Sequence, residues 1–401
     1  MSATAGPLGL VVAGGPSPFG TFAPLDDAAL TPFAGAYRFV DFALATLGNS
    51  GVKTVWVATP RPGGALRAHL GAARRGRFTR LGIVAQRPDL GSRAARLRAA
   101  LAAADAVAGR ADTIAILSAD HVLNVDLRQL VAAHRDLAAD LTVAALPLVL
   151  DAVDGRTVLD VTAEHRVRAV QHAPILPATA PGSRTVGYTW AGDLVLRARA
   201  LPALLAAVGD APALSDAAFL AAAIAALRVC AFDVLSGDLP GTPERTPTYW
   251  HEPTSVEAYY EAQMELCSAR PPFELHNPAW PVAPAPTGFG PARVVCDPAG
   301  RLGQVVNALV ADGAVIRGGI AANTVVGHAV VIESGAEVED AVLLAGCRIG
   351  RGARVRRAVV GPGAVVVGGG AVGWDAPPPA GCEVLPSGLT LVSASESVGG
   401  R

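Results

Sequence analysis

The chain has 401 residues, 51% of them hydrophobic and 17% charged, with a formal net charge of −1. That length allows two or three domains with ample core, and so balanced a charge points to neither nucleic acid nor an anionic membrane surface as a partner. Lys53 is the only lysine, the five cysteines at 230, 267, 296, 347 and 382 show neither metal-ligand spacing nor a disulfide framework, and no apolar run is long enough to span a bilayer, so a reduced, cytoplasmic protein is expected.

The apolar run Leu10-Val11-Val12-Ala13 ends abruptly in Gly14-Gly15, followed by Pro16-Ser17-Pro18-Phe19-Gly20, with no basic-then-apolar leader before it. It predicts a buried first strand, 9–13, opening into a loop that a ligand can approach closely. Such loops sit at the carboxyl ends of strands, where open α/β sheets bind nucleotides. A helix from Phe39 to Leu47 follows, then strands 52–58 and 83–85, a short helix over 65–70 and an Ala/Leu/Arg-rich helix over 93–108. Thr113 to Ser118 reads as a strand ending on Ala119-Asp120-His121, Leu127 to Leu137 as a helix, and Leu141 to Leu148 as a strand. This alternation argues for a mostly parallel sheet covered on both faces.

Strands are then expected at 158–161, 167–171 and 186–190, helices at 194–208 and 215–227 (capped by Ser215 or Asp216), a strand at 229–234 and a helix at 256–267. Prolines crowd the stretch that follows, and 271–302 reads as a linker between an α/β domain, 1–270, and a C-terminal domain, 303–401. In the latter, Ile332, Val338, Leu344, Ile349, Val355, Val360 and Val365 recur every five or six residues, with glycines and alanines between them. That hexapeptide repeat is the signature of a left-handed parallel β-helix.

The two domains and several ordered motifs together resemble the glucose-1-phosphate adenylyltransferase (ADP-glucose pyrophosphorylase) family of sugar-phosphate nucleotidyltransferases. Tyr37-Arg38-Phe39-Val40-Asp41-Phe42-Ala43-Leu44, Asn49-Ser50-Gly51, Leu117-Ser118-Ala119-Asp120-His121, Tyr249-Trp250-His251-Glu252 and Asn277-Pro278-Ala279-Trp280-Pro281 carry the likeness. The resemblance implies a Rossmann-like, mixed or parallel-sheet nucleotidyltransferase domain. It also implies transfer from a nucleoside triphosphate, ATP foremost, to a sugar-1-phosphate, or here a cyclitol-1-phosphate, with release of diphosphate. On it, Gly14, Gly15, Gln86 and Gly91 fall at nucleotide-binding positions, with Gln86 as the base reader. Gly187 and Thr185 fall at sugar-phosphate positions, and Asp120 and Glu252 at the carboxylates that hold Mg²⁺. It further implies a homotetramer or a hetero-oligomer with a paralogue.

The departures from the family pattern concern charge. Phe19 stands where the family has an arginine that contacts the departing diphosphate, and Pro16 and Pro18 remove amide donors from the loop. The next family lysine falls in Pro24-Leu25-Asp26-Asp27-Ala28-Ala29, which has two acids and no cation. The lysine that holds the sugar phosphate becomes Ala173 in His172-Ala173-Pro174, and the family's Gly-Thr-Ala-Asp-Ala becomes Gly91-Ser92-Arg93-Ala94-Ala95. Arg38, Arg61, Arg67, Arg87 and Arg93 border the expected site, with Arg93 read as a solvent-facing helix residue and His121 as structural. Two functions follow: a transferase of altered specificity, or a catalytically impaired paralogue that binds ligands or modulates an active subunit. Acyl transfer by the β-helix would rest on His328 alone, which reads as a coil-turn residue.

Overall fold

Leu8–Val12, the strand that ends in the paired glycines, lies near the middle of a mixed sheet, fully buried along its length. The computed structural model describes all residues except 1–5, 16, 21, 23–26, 74–76, 88–89, 106–110, 154, 212, 244–247, 375–377 and 400–401. The central strand pairs in parallel with Thr54–Thr59 on one side and Thr113–Ser118 on the other, and Arg80–Ala85 continues the parallel half. Beyond Thr113–Ser118 the sheet turns antiparallel. Val186–Arg197 pairs there with Thr113–Ser118, Leu141–Val149 and Thr157–Val161, Val167–His172 adds to Thr157–Val161, and Val229–Asp233 runs parallel to Leu141–Val149.

Alternation along the central strands sends apolar side chains to both faces. Ile114 and Ile116 join a layer covered by helices α3 (Arg93–Asp105), α5 (Leu201–Val208) and α6 (Asp216–Ala226). Ala115 and Leu117 join the opposite layer, covered by α1 (Phe39–Asn49), α2 (Gly64–Ala73) and α4 (Leu127–Asp136). Residues 106–108 of the expected α3 lie outside the described residues.

One expectation fails at 194–208. Residues 194–197 are the end of the strand Val186–Arg197, a single turn follows over Ala198–Ala200, and the helix starts at Leu201. The run Leu194-Val195-Leu196 is sandwiched between two partner strands, and this burial outweighs its compatibility with a helix. The register of that long strand slips between Trp190 and Leu194, where Gly192 adopts φ 100°. Such a bulge re-aims side chains beside it, and this one lies against the site described below.

The second part of the chain is a parallel β-helix. Gln304–Val310, Ile320–Val326, Glu337–Leu343 and Arg354–Val360 stack in register, successive rungs starting 16 or 17 residues apart. Ile332, Val338, Ile349, Val355 and Val360 are sealed in its interior. At the last of the repeat positions Val366 points inward instead of Val365. Strand Arg293–Val295 already pairs with Val315–Arg317, so the first coil begins inside the stretch read as linker. Val325, Val342 and Val359, in register on consecutive rungs, join Phe19, Phe33, Phe39, Phe42 and Tyr259 in one cluster that packs the β-helix onto the first domain.

Candidate active site

A cavity of about 630 Å³ opens at the carboxyl ends of the central strands, lined in part by Ser17, Gly91, Arg93, Arg96, Asp120, Arg156, His172, Trp190, Asp216 and Glu252. Asp120 follows the strand Thr113–Ser118, and Glu252 follows the short strand Tyr249–His251, which pairs with Val122–Asn124. The start of α3, where Ser92 Oγ accepts from Ala95 N–H, and the start of α6, where Ser215 Oγ accepts from Ala218 N–H, both face the cavity. Helix N-termini favour anions there.

Arg93 is the hub of the cavity rather than a solvent-facing residue. Its guanidinium reaches Asp216 Oδ2 at 2.5 and 3.1 Å and Glu252 Oε1 at 3.2 Å, and lies 5.2 Å over the Trp190 ring. The bulge makes this possible: a Cβ at Gly192 would meet Arg93 Nη1 at 3.0 Å. Burial opposes its charge, but Glu252 and Asp216, with Asp120 behind them, hold Arg93 protonated above its ordinary range. Arg96, one turn along α3, sits 3.7 Å from Asp120 Oδ2. Burial lowers it from its ordinary value, against the pull of Asp120. Among the described residues Arg156 is held most loosely, by a 3.9 Å contact to Glu252 Oε2, with its guanidinium 5.3 Å over Trp250. Neither Arg96 nor Arg156 stands out in the sequence, because their partners lie far along the chain.

Behind Asp120 stands a buried relay. His121, 1% exposed, is bonded to Asp120 Oδ1 at 3.1 Å and to Asp193 Oδ2 at 2.9 Å, and Asp193 also accepts from Ser118 N–H. Burial works against a charged imidazole, yet Asp193 and Asp120 push His121 up to about 10, so it is an imidazolium at neutral pH. Burial alone would raise the Asp120 carboxyl, but the His121 hydrogen bond and charge hold it below the usual carboxylate range.

The glycine turn is organised by an acid. Asp27 Oδ1 accepts from Gly14 N–H at 3.0 Å and Ala29 N–H at 2.9 Å, while Oδ2 accepts from Thr59 Oγ1 at 2.6 Å. One amide of the glycine turn is therefore taken by a carboxylate of the chain itself. Gly15 gives room: a Cβ there would meet Asp120 Cβ at 3.2 Å and Arg96 Nη2 at 3.4 Å. Phe19 is 3% exposed and stacks edge-on against Tyr259 at 4.7 Å, turned away from the cavity into the inter-domain cluster. Pro16 and residues 23–26 lie outside the described residues.

Gln86 is buried beside α3 and is not among the residues lining the cavity: its side-chain nitrogen donates to Arg96 O at 3.3 Å, and its Oε1 has no partner among the described residues. The fold thus brings Gly91, Asp120 and Glu252 to one cavity with Gly15 against Asp120. Gly187 and Thr185 are not among its lining residues: Gly187 is packed under the Ala178 carbonyl, and Thr185 is exposed. Arg38 serves α1 and donates to Leu30 O, Arg67 donates to Pro62 O, and His328 is tied to the carbonyls of Asp312 and Ala36.

Among the described residues no cluster of three His, Cys, Asp or Glu side chains could hold a metal. The pair Asp120 and Glu252 nevertheless suits a hard divalent ion. Asp120 Oδ2 and Glu252 Oε2 each face an arginine only across 3.7 and 3.9 Å, beyond hydrogen-bond reach. Mg²⁺ takes one or two protein carboxylates and completes its shell with phosphate oxygens and water.

Residues 27–268 match the family model for nucleotidyl transferases, and residues 290–392 match the model for the GlmU-like C-terminal hexapeptide region. A protein of Frankia casuarinae named glucose-1-phosphate adenylyltransferase is 33% identical over 92% of both chains. One of the same name from Deinococcus radiodurans is 31% identical over 92% of this chain and 93% of its own. A third, from Geobacter metallireducens, is 29% identical over 91% of both.

Proposed function

The chain belongs to the nucleotidyl transferase family that includes the glucose-1-phosphate adenylyltransferases, and from that premise we propose that it transfers a nucleotidyl group, adenylyl foremost, to a sugar- or cyclitol-1-phosphate with altered acceptor specificity. The observation that carries this reading is the placement of Arg93, Arg96 and Arg156 in the cavity that holds Asp120 and Glu252. They supply cations where the usual ones are missing. An acceptor phosphate oxygen attacks the α-phosphorus of the triphosphate, the bond from that phosphorus to the β-phosphate oxygen breaks, and diphosphate leaves. Catalysis of such a step is positioning and charge neutralisation.

Asp120 and Glu252 would hold Mg²⁺, which when bound neutralises and orients phosphate oxygens. Arg96 supports Asp120 and faces the phosphates beside Gly15. Arg156, the least committed guanidinium, is offered to the phosphate of the acceptor. Altered specificity is supported by the lining itself: Arg156, His172 and Trp190 border the cavity, and Gly187 and Thr185 do not. The exposed apolar side chains Val294, Leu302, Val306 and Ile320 on the first coils support association into a homotetramer, or a mixed oligomer with a paralogue. No described helix is long and apolar enough to cross a membrane.

The second reading, a catalytically impaired paralogue that modulates an active subunit, is favoured by Asp27 on the Gly14 amide and by the burial of Phe19. Diphosphate release from ATP and Mg²⁺ with a panel of sugar and cyclitol 1-phosphates separates the two. Release that is abolished by Asp120→Asn supports the transferase. Absence of release with every acceptor, together with no thermal shift by ATP, overturns it in favour of the second reading. In an active protein, Arg156→Ala raises KM for the acceptor by roughly tenfold to a hundredfold, the value of one charge-assisted contact, and leaves KM for ATP nearly unchanged.

A further inference from the structure

A second cavity, of about 370 Å³, lies at the opposite end of the sheet from the catalytic one. It opens where Thr113 begins its strand and Arg197, its antiparallel partner, ends another. Arg135, Arg197, Arg199, His134 and Asp112 line it. None of the three arginines forms an ion pair or a side-chain hydrogen bond with another described residue. Arg135 sits in the last turn of α4, where a cation suits the helix dipole, but Arg197 and Arg199 have no such partner. Asp112 is exposed on the rim, leaving a net charge of +2 on the lining when the histidine is neutral.

His134 is 2% exposed; its Nδ1 lies 2.9 Å from Thr142 Oγ1, and its Nε2 is buried with no partner among the described residues. Thr142 is fully buried, and its hydroxyl has only this imidazole as a partner among the described residues. The arrangement that leaves fewest groups unsatisfied has the Thr142 hydroxyl donating to Nδ1, which puts the ring proton on Nε2. The cavity is therefore lined by three guanidiniums without an ion pair among the described residues and by His134, whose Nε2 has no partner among them. An unmet buried donor is costly, and guanidiniums bind tetrahedral oxyanions through paired N–H groups.

We propose that this cavity is an anion site that takes a phosphate group, held by Arg135, Arg197 and Arg199, with the His134 ring in its wall. It is separate from the catalytic cavity and does not depend on the reading of that cavity. The test uses the full-length protein carrying ¹³C-labelled histidine, with the His134 resonance assigned by its loss in His134→Gln. Inorganic phosphate is titrated at constant pH and ionic strength, with chloride as the matched control. The expected result is a saturable shift of the His134 ring signal by phosphate and none by chloride. Arg197→Gln/Arg199→Gln weakens that response by roughly tenfold to a hundredfold, and Arg156→Gln in the catalytic cavity leaves it unchanged. No shift, an equal shift with chloride, or a response that survives the double substitution overturns the site.

Discussion

Removing Asp27 is the sharpest perturbation of the glycine turn. Its carboxylate is 4% exposed and accepts three hydrogen bonds, two at Oδ1 from Gly14 and Ala29 and one at Oδ2 from Thr59. Hydrogen bonds to a charged acceptor contribute about 1.5–3 kcal/mol each, but three on one group do not add. Asp27→Ala leaves buried donors unmet, so a local loss of about 3–5 kcal/mol is expected. Asp27→Asn keeps Oδ1 for the two amides and turns an NH₂ toward Thr59 Oγ1, which can accept it, so the loss falls to about 1–2 kcal/mol. Because unfolding of a two-domain chain need not be two-state, the assay is hydrogen–deuterium exchange of the Gly14 and Ala29 amides. With 1.4 kcal/mol per decade, Ala accelerates exchange roughly 10²–10³-fold and Asn roughly tenfold. Equal acceleration by the two variants, or none with Ala, refutes the role given to Asp27 as the strut of this loop.

Phe19→Arg, which looks in the sequence like the restoration of a catalytic cation, forces a guanidinium into an aromatic cluster; a stability loss of about 3–5 kcal/mol and no gain in turnover are expected, read by thermal unfolding and diphosphate release. Arg93→Leu leaves Asp216 and Glu252 without their shared cation. Partial exposure of all three side chains reduces the cost to about 2–3 kcal/mol, checked by urea titration, and Arg93→Lys recovers only part because one ammonium cannot span both acids. Burial, then Arg197, depress His134 to about 4 against the partial opposition of Asp140, with Arg135 adding to the depression. The unfolded chain, with histidine near 6.5, binds more protons between those values, so this contribution is complete above about pH 6.5 and is lost as pH falls through about 4. Its size is about 2–3 kcal/mol, and His134→Gln flattens the stability profile across that window.

Local chemistry made much of this molecule legible in its sequence. The strand that breaks into Gly14-Gly15, the strand that ends at Asp120, the Ser215 cap and the repeat of the β-helix all follow from patterns a few residues long. What escaped the sequence was set by long-range pairing. Arg93 meets partners 123 and 159 residues away, so nothing in Ser92-Arg93-Ala94 marks it as the hub of a cavity. Leu194-Val195-Leu196 suits a helix or a buried strand, and only its two neighbouring strands decide the outcome. The bulge that brings Asp193 to His121 and clears a path for Arg93 has no signal beyond a single glycine, Gly192.

Phe19 also joins the two domains. In its present place the ring is a keystone between two domains, touching Tyr259, which in turn donates to the Pro32 carbonyl. A cation placed there by one substitution would break this joint before it could serve the cavity. Arg93, Arg96 and Arg156 line the cavity, whereas Phe19 does not. The loop beside Gly14 and Gly15 thus couples the cavity to the domain joint: a change that loosens Phe19 from Tyr259 also disturbs the turn that packs against Asp120.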